Sequence, residues 1–80
     1  MVVLGVIIET FPQKTEQVKK TLDNMKEIVM SNEIDEHRLI AIIESKTLEN
    51  EISISKAVAN IDGVFSTSPS AYYFRTGLNM

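Results

Sequence analysis

An internal repeat constrains this chain more than any other feature. Displaced by 35 residues, Ile7-Ile8-Glu9 falls on Ile42-Ile43-Glu44. Displaced by 36, Val18, Leu22, Met25 and Ile28 fall on Ile54, Val58, Ile61 and Val64, and Asn24 falls on Asn60. Core-type positions therefore match core-type positions along a whole strand–helix–strand unit. Two such units with right-handed crossovers give the ferredoxin-like βαββαβ arrangement of the α+β class. The expected sheet is four-stranded and antiparallel in the order 4-1-3-2, with both helices on one face. A chain of 80 residues holds one core of this kind, so residues 1–80 form a single domain, with 75–80 as its tail.

The elements follow from local pattern. Val2 to Glu9 is β-branched and apolar on both sides, as suits a central strand. After Phe11-Pro12 a helix is expected from Gln13 to Asn24, with Val18, Leu22 and Met25 on its inner face and Lys14, Lys19 and Lys20 solvated. Ile28 to Ile34 is diluted by Ser31, Asn32 and Glu33 and belongs at an edge. Asp35-Glu36 reads as a hairpin tip, and Leu39 to Glu44 as the second central strand. A second helix is expected from Leu48 to Ile61. Its apolar stripe would be Leu48, Ile52, Val58 and Ile61, with Ile54 beside it and Gly63 just past its last turn. Val64 to Tyr73 is the last strand, and Pro69 confines it to an edge.

Alternation then assigns the faces of the central strands. Val2, Leu4, Val6 and Ile8, with Leu39, Ala41 and Ile43, carry no charge and belong under the helices. The opposite sets are Val3, Gly5, Ile7, Glu9 and Arg38, Ile40, Ile42, Glu44. Val3, Ile7, Ile40 and Ile42 would face solvent as an apolar patch, the kind of surface that marks an interaction site. With strands one and three read as running the same way, Glu9 and Glu44 would finish side by side. Two readings of the pair stand: each carboxylate serves a nearby helix N-terminus, whose dipole stabilises it, or the two form a rim that receives cationic side chains from a partner. The candidate partner-binding residues are therefore Val3, Ile7, Glu9, Arg38, Ile40, Ile42 and Glu44.

Other chemistry lacks its residues. There is no cysteine, which removes disulfides and thiolate sites. Eight basic against eleven acidic residues give a net charge of −3, which argues against a phosphate backbone as ligand. No run approaches the ~20 apolar residues of a membrane span, and Val2 to Ile8 lacks the basic flank of a signal peptide. A cytoplasmic protein is expected. His37, the only histidine, belongs to an exposed turn, and the glycines are isolated. The serines around Pro69 read as a polar edge. The aromatics Tyr72, Tyr73 and Phe74 lie off the central strands where a base-stacking platform would need them. Neither an enzyme nor a metal or cofactor site is expected.

Several of these features occur together in one family. A strand from the N-terminus, a Pro before the first helix, Ile43-Glu44 closing the third strand, and Asn60-Ile61-Asp62-Gly63-Val64 followed by Phe65-Ser66 resemble the NapD family over residues 1 to 74. Asp35-Glu36 and Glu27-Ile28 depart from the glycines usual in that family at those places. The resemblance implies a small cytoplasmic chaperone with a ferredoxin-like fold. Its partner would be the twin-arginine signal peptide of the catalytic subunit of a periplasmic nitrate reductase, held until the molybdenum cofactor is inserted. Aliphatic side chains of the open face would take the hydrophobic part of such a peptide and the carboxylates its arginines.

Two other readings compete. A small-molecule-sensing domain of the leucine-responsive-regulator type would use the same apolar face to form a homodimer, which size-exclusion chromatography would detect. A small ferredoxin-like monooxygenase or isomerase would need convergent polar residues between sheet and helices, and the sequence offers none.

Overall fold

The computed structural model of the chain describes residues 2–75, with side chains placed through residue 70. The elements run β1 (Val2–Thr10), α1 (Thr15–Asp23), β2 (Ile28–Asp35), β3 (Arg38–Ser45), α2 (Leu48–Ala59) and β4 (Val64–Arg75). They form the expected βαββαβ fold, with one antiparallel sheet in the order β2-β3-β1-β4. The polar strand and the proline-bearing strand are the two edges. Arg75, expected to open the tail, instead closes β4, and the rest of the expected tail, residues 76–80, lies outside those described.

Both helices pack on one face of the sheet. Val18 and Leu22 of α1 and Ile54 and Val58 of α2 meet Val6, Ile8, Leu39, Ala41, Ile43 and Ile28 in a single core. Alternation explains the choice of strand residues, because Leu4 pairs with Ile43, Val6 with Ala41 and Ile8 with Leu39. Met25, Ile61 and Val64 close the ends of this core.

The repeat extends to the caps. Asn24 Nδ2 donates to the Lys20 carbonyl at 3.1 Å, and its counterpart Asn60 donates to the Lys56 carbonyl at 2.9 Å. Each asparagine occupies the C-cap; the Lys20 carbonyl gains a donor the last turn does not supply, while the Lys56 carbonyl also accepts the Asn60 backbone N–H at 3.2 Å. A tight turn into the next strand follows in both halves, closed by Ile28 N–H to Met25 and Val64 N–H to Ile61. Only the second turn carries a glycine, Gly63 at φ +102°. It lies beyond the Asn60 cap and therefore serves the turn, not the helix end as expected.

The first helix starts two residues late. Phe11 to Lys14 forms a turn, with the Lys14 N–H donating to the Phe11 carbonyl at 3.1 Å and Gln13 at φ +68°. Pro12 and Gln13 occupy its two central positions, where fixed and positive φ are favoured respectively. Thr15 opens the helix and its buried hydroxyl meets Thr10 Oγ1 at 2.6 Å and the Glu36 carbonyl at 2.6 Å. The β2–β3 hairpin is thereby tied to the end of β1. Its two turn residues are Glu36 and His37, one position beyond the expected tip, and His37 is exposed as expected.

A polar clasp joins α1 to β2. The Ser31 hydroxyl donates to Asp23 at 2.7 Å, and Lys19 Nζ reaches Asp23 at 3.3 Å and the Ser31 carbonyl at 3.1 Å. Lys19 is thus not the wholly solvated lysine that its position off the apolar stripe suggested. The Ser31 hydrogen bond, opposed by partial desolvation and aided by Lys19, holds the Asp23 carboxyl below the usual carboxylate range. The His37 N–H, with Arg38 second, does the same for Asp35. A carboxyl whose folded pKa is depressed contributes stability that is present at neutral pH and fades as pH falls through the acid range below about 4. The urea midpoint is expected to drop between pH 6 and pH 3, and to drop less in Asp23→Asn. An equal drop in both proteins would contradict this role.

Candidate partner-binding face

The strand register sorts the helix-free face into rows. Nearest the hairpin lie Ser66, Glu9, Arg38 and Asp35, one from each strand in the order β4, β1, β3, β2. Ser68, Ile7, Ile40 and Asn32 follow, then Ser70, Gly5, Ile42 and Met30. Val3 pairs with Glu44 at the far end. An aliphatic strip on the central strands is thus bordered by a serine ladder on β4 and capped at each end by carboxylates.

The face assignment of all seven sequence-derived residues agrees with this register, but two expectations fail. First, β1 and β3 are antiparallel, so Glu9 lies opposite Arg38 and Glu44 opposite Val3. Glu9 and Glu44 stand six strand positions apart, about 20 Å at the rise of an extended chain, and form no shared rim. The repeat explains why. Val6 pairs with Ala41, which is also its counterpart 35 residues on, so the two halves are related by a rotation passing between these two residues. Equivalent residues are carried to opposite ends of the sheet. Second, Ile42 is buried at 7 % exposure, while Val3, Ile7 and Ile40 are only half-buried. The strip is less bare than four fully solvated aliphatics.

The two ends differ in charge. At the hairpin end Arg38 is held by Asp35, with Nε at 3.0 Å and Nη2 at 2.9 Å from one carboxylate oxygen. Glu9 is exposed, accepts from the Ser66 hydroxyl at 2.7 Å, and has no ion-pair partner among the described residues. With Glu36 nearby, this end carries more negative than positive charge. At the other end Glu44 lines a depression with Glu27, Lys26 and Lys46, so carboxylates and ammonium groups balance. A cationic ligand would favour the Glu9 end.

Six residues of this face, Ser66, Ser68, Ser70, Asn32, Met30 and Asp35, are not among the candidates read from the sequence. Ser66 is readable from the alternation of Ser66, Ser68 and Ser70. Asp35 and Met30 are harder, because irregularities after Ile28 and after Glu33 shift the alternation of β2. Met30 is 43 % exposed and widens the apolar strip beside Ile42. Near the Glu9 end, Phe11 and Phe65 stand edge to face with ring centres 5.3 Å apart, both largely exposed. The side chains of Tyr72, Tyr73 and Phe74 lie outside those described. Among the described residues no cluster of three acidic or histidine side chains could hold a metal ion, and no helix is long and apolar enough to cross a membrane.

Comparison with known proteins places the chain. No curated protein matches it significantly. The crystal structure of TTHA0845 from Thermus thermophilus superposes with a TM-score of 0.82 over 100 % of both chains at 12 % identity, a likeness of fold alone. The family described as NapD protein matches residues 1–74, nearly the whole sequence. The chain belongs to the NapD family, a family of nitrate reductase maturation chaperones.

Proposed function

We propose that this chain binds the twin-arginine signal peptide of a periplasmic nitrate reductase catalytic subunit on the helix-free face of its sheet. Binding precedes export, in the cytoplasm, and lasts until the molybdenum cofactor has been inserted. The arginines lie at the hairpin end, against Glu9 and the acidic groups around it. The hydrophobic stretch runs over Ile7, Ile40 and Val3, with Ile42 as the floor beneath it. The observation that carries this reading is Glu9: an exposed carboxylate with no cationic partner among the described residues, at the net negative end of an aliphatic strip. Guanidinium groups suit such an acceptor because they form paired, charge-assisted hydrogen bonds. Membership in the NapD family favours this use of the face over small-molecule sensing.

The test is charge reversal followed by calorimetry against a twin-arginine leader peptide. Glu9→Lys is expected to weaken binding by at least tenfold, about 1.4 kcal/mol, while Glu44→Lys changes it little because lysines already surround that end. Unchanged affinity in Glu9→Lys would reject the proposed polarity of the peptide.

A further inference from the structure

The repeat that shapes the fold also exposes a difference between its halves, on the helix side of the sheet and away from Glu9. In the first half the gap between α1 and edge strand β2 is filled by Lys19, Asp23 and Ser31. Thirty-six residues on, their counterparts between α2 and edge strand β4 are Ser55, Ala59 and Thr67. The ammonium and the carboxylate are both gone. What remains is an open groove of about 350 Å³ lined by these three residues and by Leu4, Val6, Ile52 and Pro69.

Glu51 also lines this groove. It is the counterpart of the buried Thr15, which in the first half spends its hydroxyl on Thr10 and Glu36. Glu51 is only 5 % exposed, and among the described residues its carboxylate has one partner, the Ser55 hydroxyl at 2.7 Å from Oε2. Among the described residues no fully buried side-chain oxygen lacks a partner, so Oε1, which has no protein donor, stays open to the groove and within reach of a cation that enters it. Lys56 is at the edge of the groove and exposed, so water screens its charge.

We infer that this groove binds the side chain of a lysine presented by a partner polypeptide, with its ammonium on Glu51 and its alkyl stem along Leu4, Val6 and Ile52. The position is the counterpart of the one Lys19 takes in the other half of the same molecule, where an ammonium already sits between helix and edge strand. The apolar walls suit four methylene groups, and the buried carboxylate supplies the counter-charge.

n-Butylammonium, the lysine side chain without its backbone, is the probe. In a titration followed by amide chemical shifts, it is expected to move Ser55, Thr67 and Val6 while leaving Ser66 and Ile40 in place. Glu51→Gln should weaken this binding by about tenfold. The double variant Ser55→Lys with Ala59→Asp rebuilds the clasp of the first half. It should abolish probe binding and raise the urea midpoint, a readout that survives if Glu51→Gln does not fold. Both variants leave the Glu9 surface intact and should still bind the leader peptide, so failure here is separable from failure of the proposed function. Equal probe affinity in the wild type and the rebuilt variant, or shifts confined to the helix-free face, would overturn the inference.

Discussion

Replacing Ile8 by alanine is expected to destabilise the domain by about 2–5 kcal/mol, the range for truncating a fully buried aliphatic residue. Ile8 has 0 % exposure and sits mid-core on a central strand, paired with Leu39 on one side and Thr67 on the other. Ile8 is fully enclosed beneath the helices, so the surrounding side chains fill the vacated volume only in part. A domain of this length has a total stability on the order of 4–12 kcal/mol, so this one change removes a large share of it. The adjacent Ile7 provides the internal control. It points to the opposite face and is half-buried, so Ile7→Ala should cost roughly 1 kcal/mol while weakening peptide binding. Urea denaturation separates the two. A loss below about 1 kcal/mol in Ile8→Ala would contradict the assignment of the core face.

Gly63→Ala should come next, at about 2–4 kcal/mol. The φ of +102° is a conformation that side-chain-bearing residues rarely adopt. A Cβ added there would stand 2.9 Å from Val18 Cγ2 and 3.0 Å from Lys14 Cβ. Val18 is itself fully buried, so it has little freedom to retreat. The Gly63 carbonyl also accepts the Phe11 N–H at 2.9 Å, so shifting this turn disturbs the exit of β1. The thermal midpoint of Gly63→Ala should fall by about 10 °C or more, since ~1 kcal/mol corresponds to roughly 4–8 °C at this size. A fall of less than about 4 °C would mean that the turn relaxes freely.

The repeat made most of this fold legible. Core residues such as Ile8, Leu39, Ile43, Val18 and Val58 follow from two periodicities, and the edge strands from Ser31, Asn32, Glu33 and Pro69. Strand direction is not carried by those periodicities. The residues facing the helices are the same whether β3 runs with β1 or against it, so the face assignment survived while the pairing of Glu9 with Glu44 did not. The α2 stripe failed for another reason. Leu48 and Ile52 are more hydrophobic than Glu51, yet Glu51 is buried while Leu48 is 58 % and Ile52 46 % exposed. The inner face is Glu51, Ile54, Val58 and Ile61, which the 36-residue displacement from Thr15, Val18, Leu22 and Met25 would have given without reference to hydrophobicity. Gln13 at positive φ and the irregularities of β2 depend on how neighbouring segments meet, which no local pattern encodes.

The central claim is that the helix-free face receives the leader peptide with its arginines toward the hairpin end. Amide shift mapping of the chain against a twin-arginine leader peptide tests it most directly. Perturbations should gather on Ile7, Glu9, Ile40, Ser66 and Ser68, strongest near Glu9, with Leu22, Ile54 and Val58 unmoved. Perturbations centred on α1 and α2, with the Glu9 row silent, would contradict it.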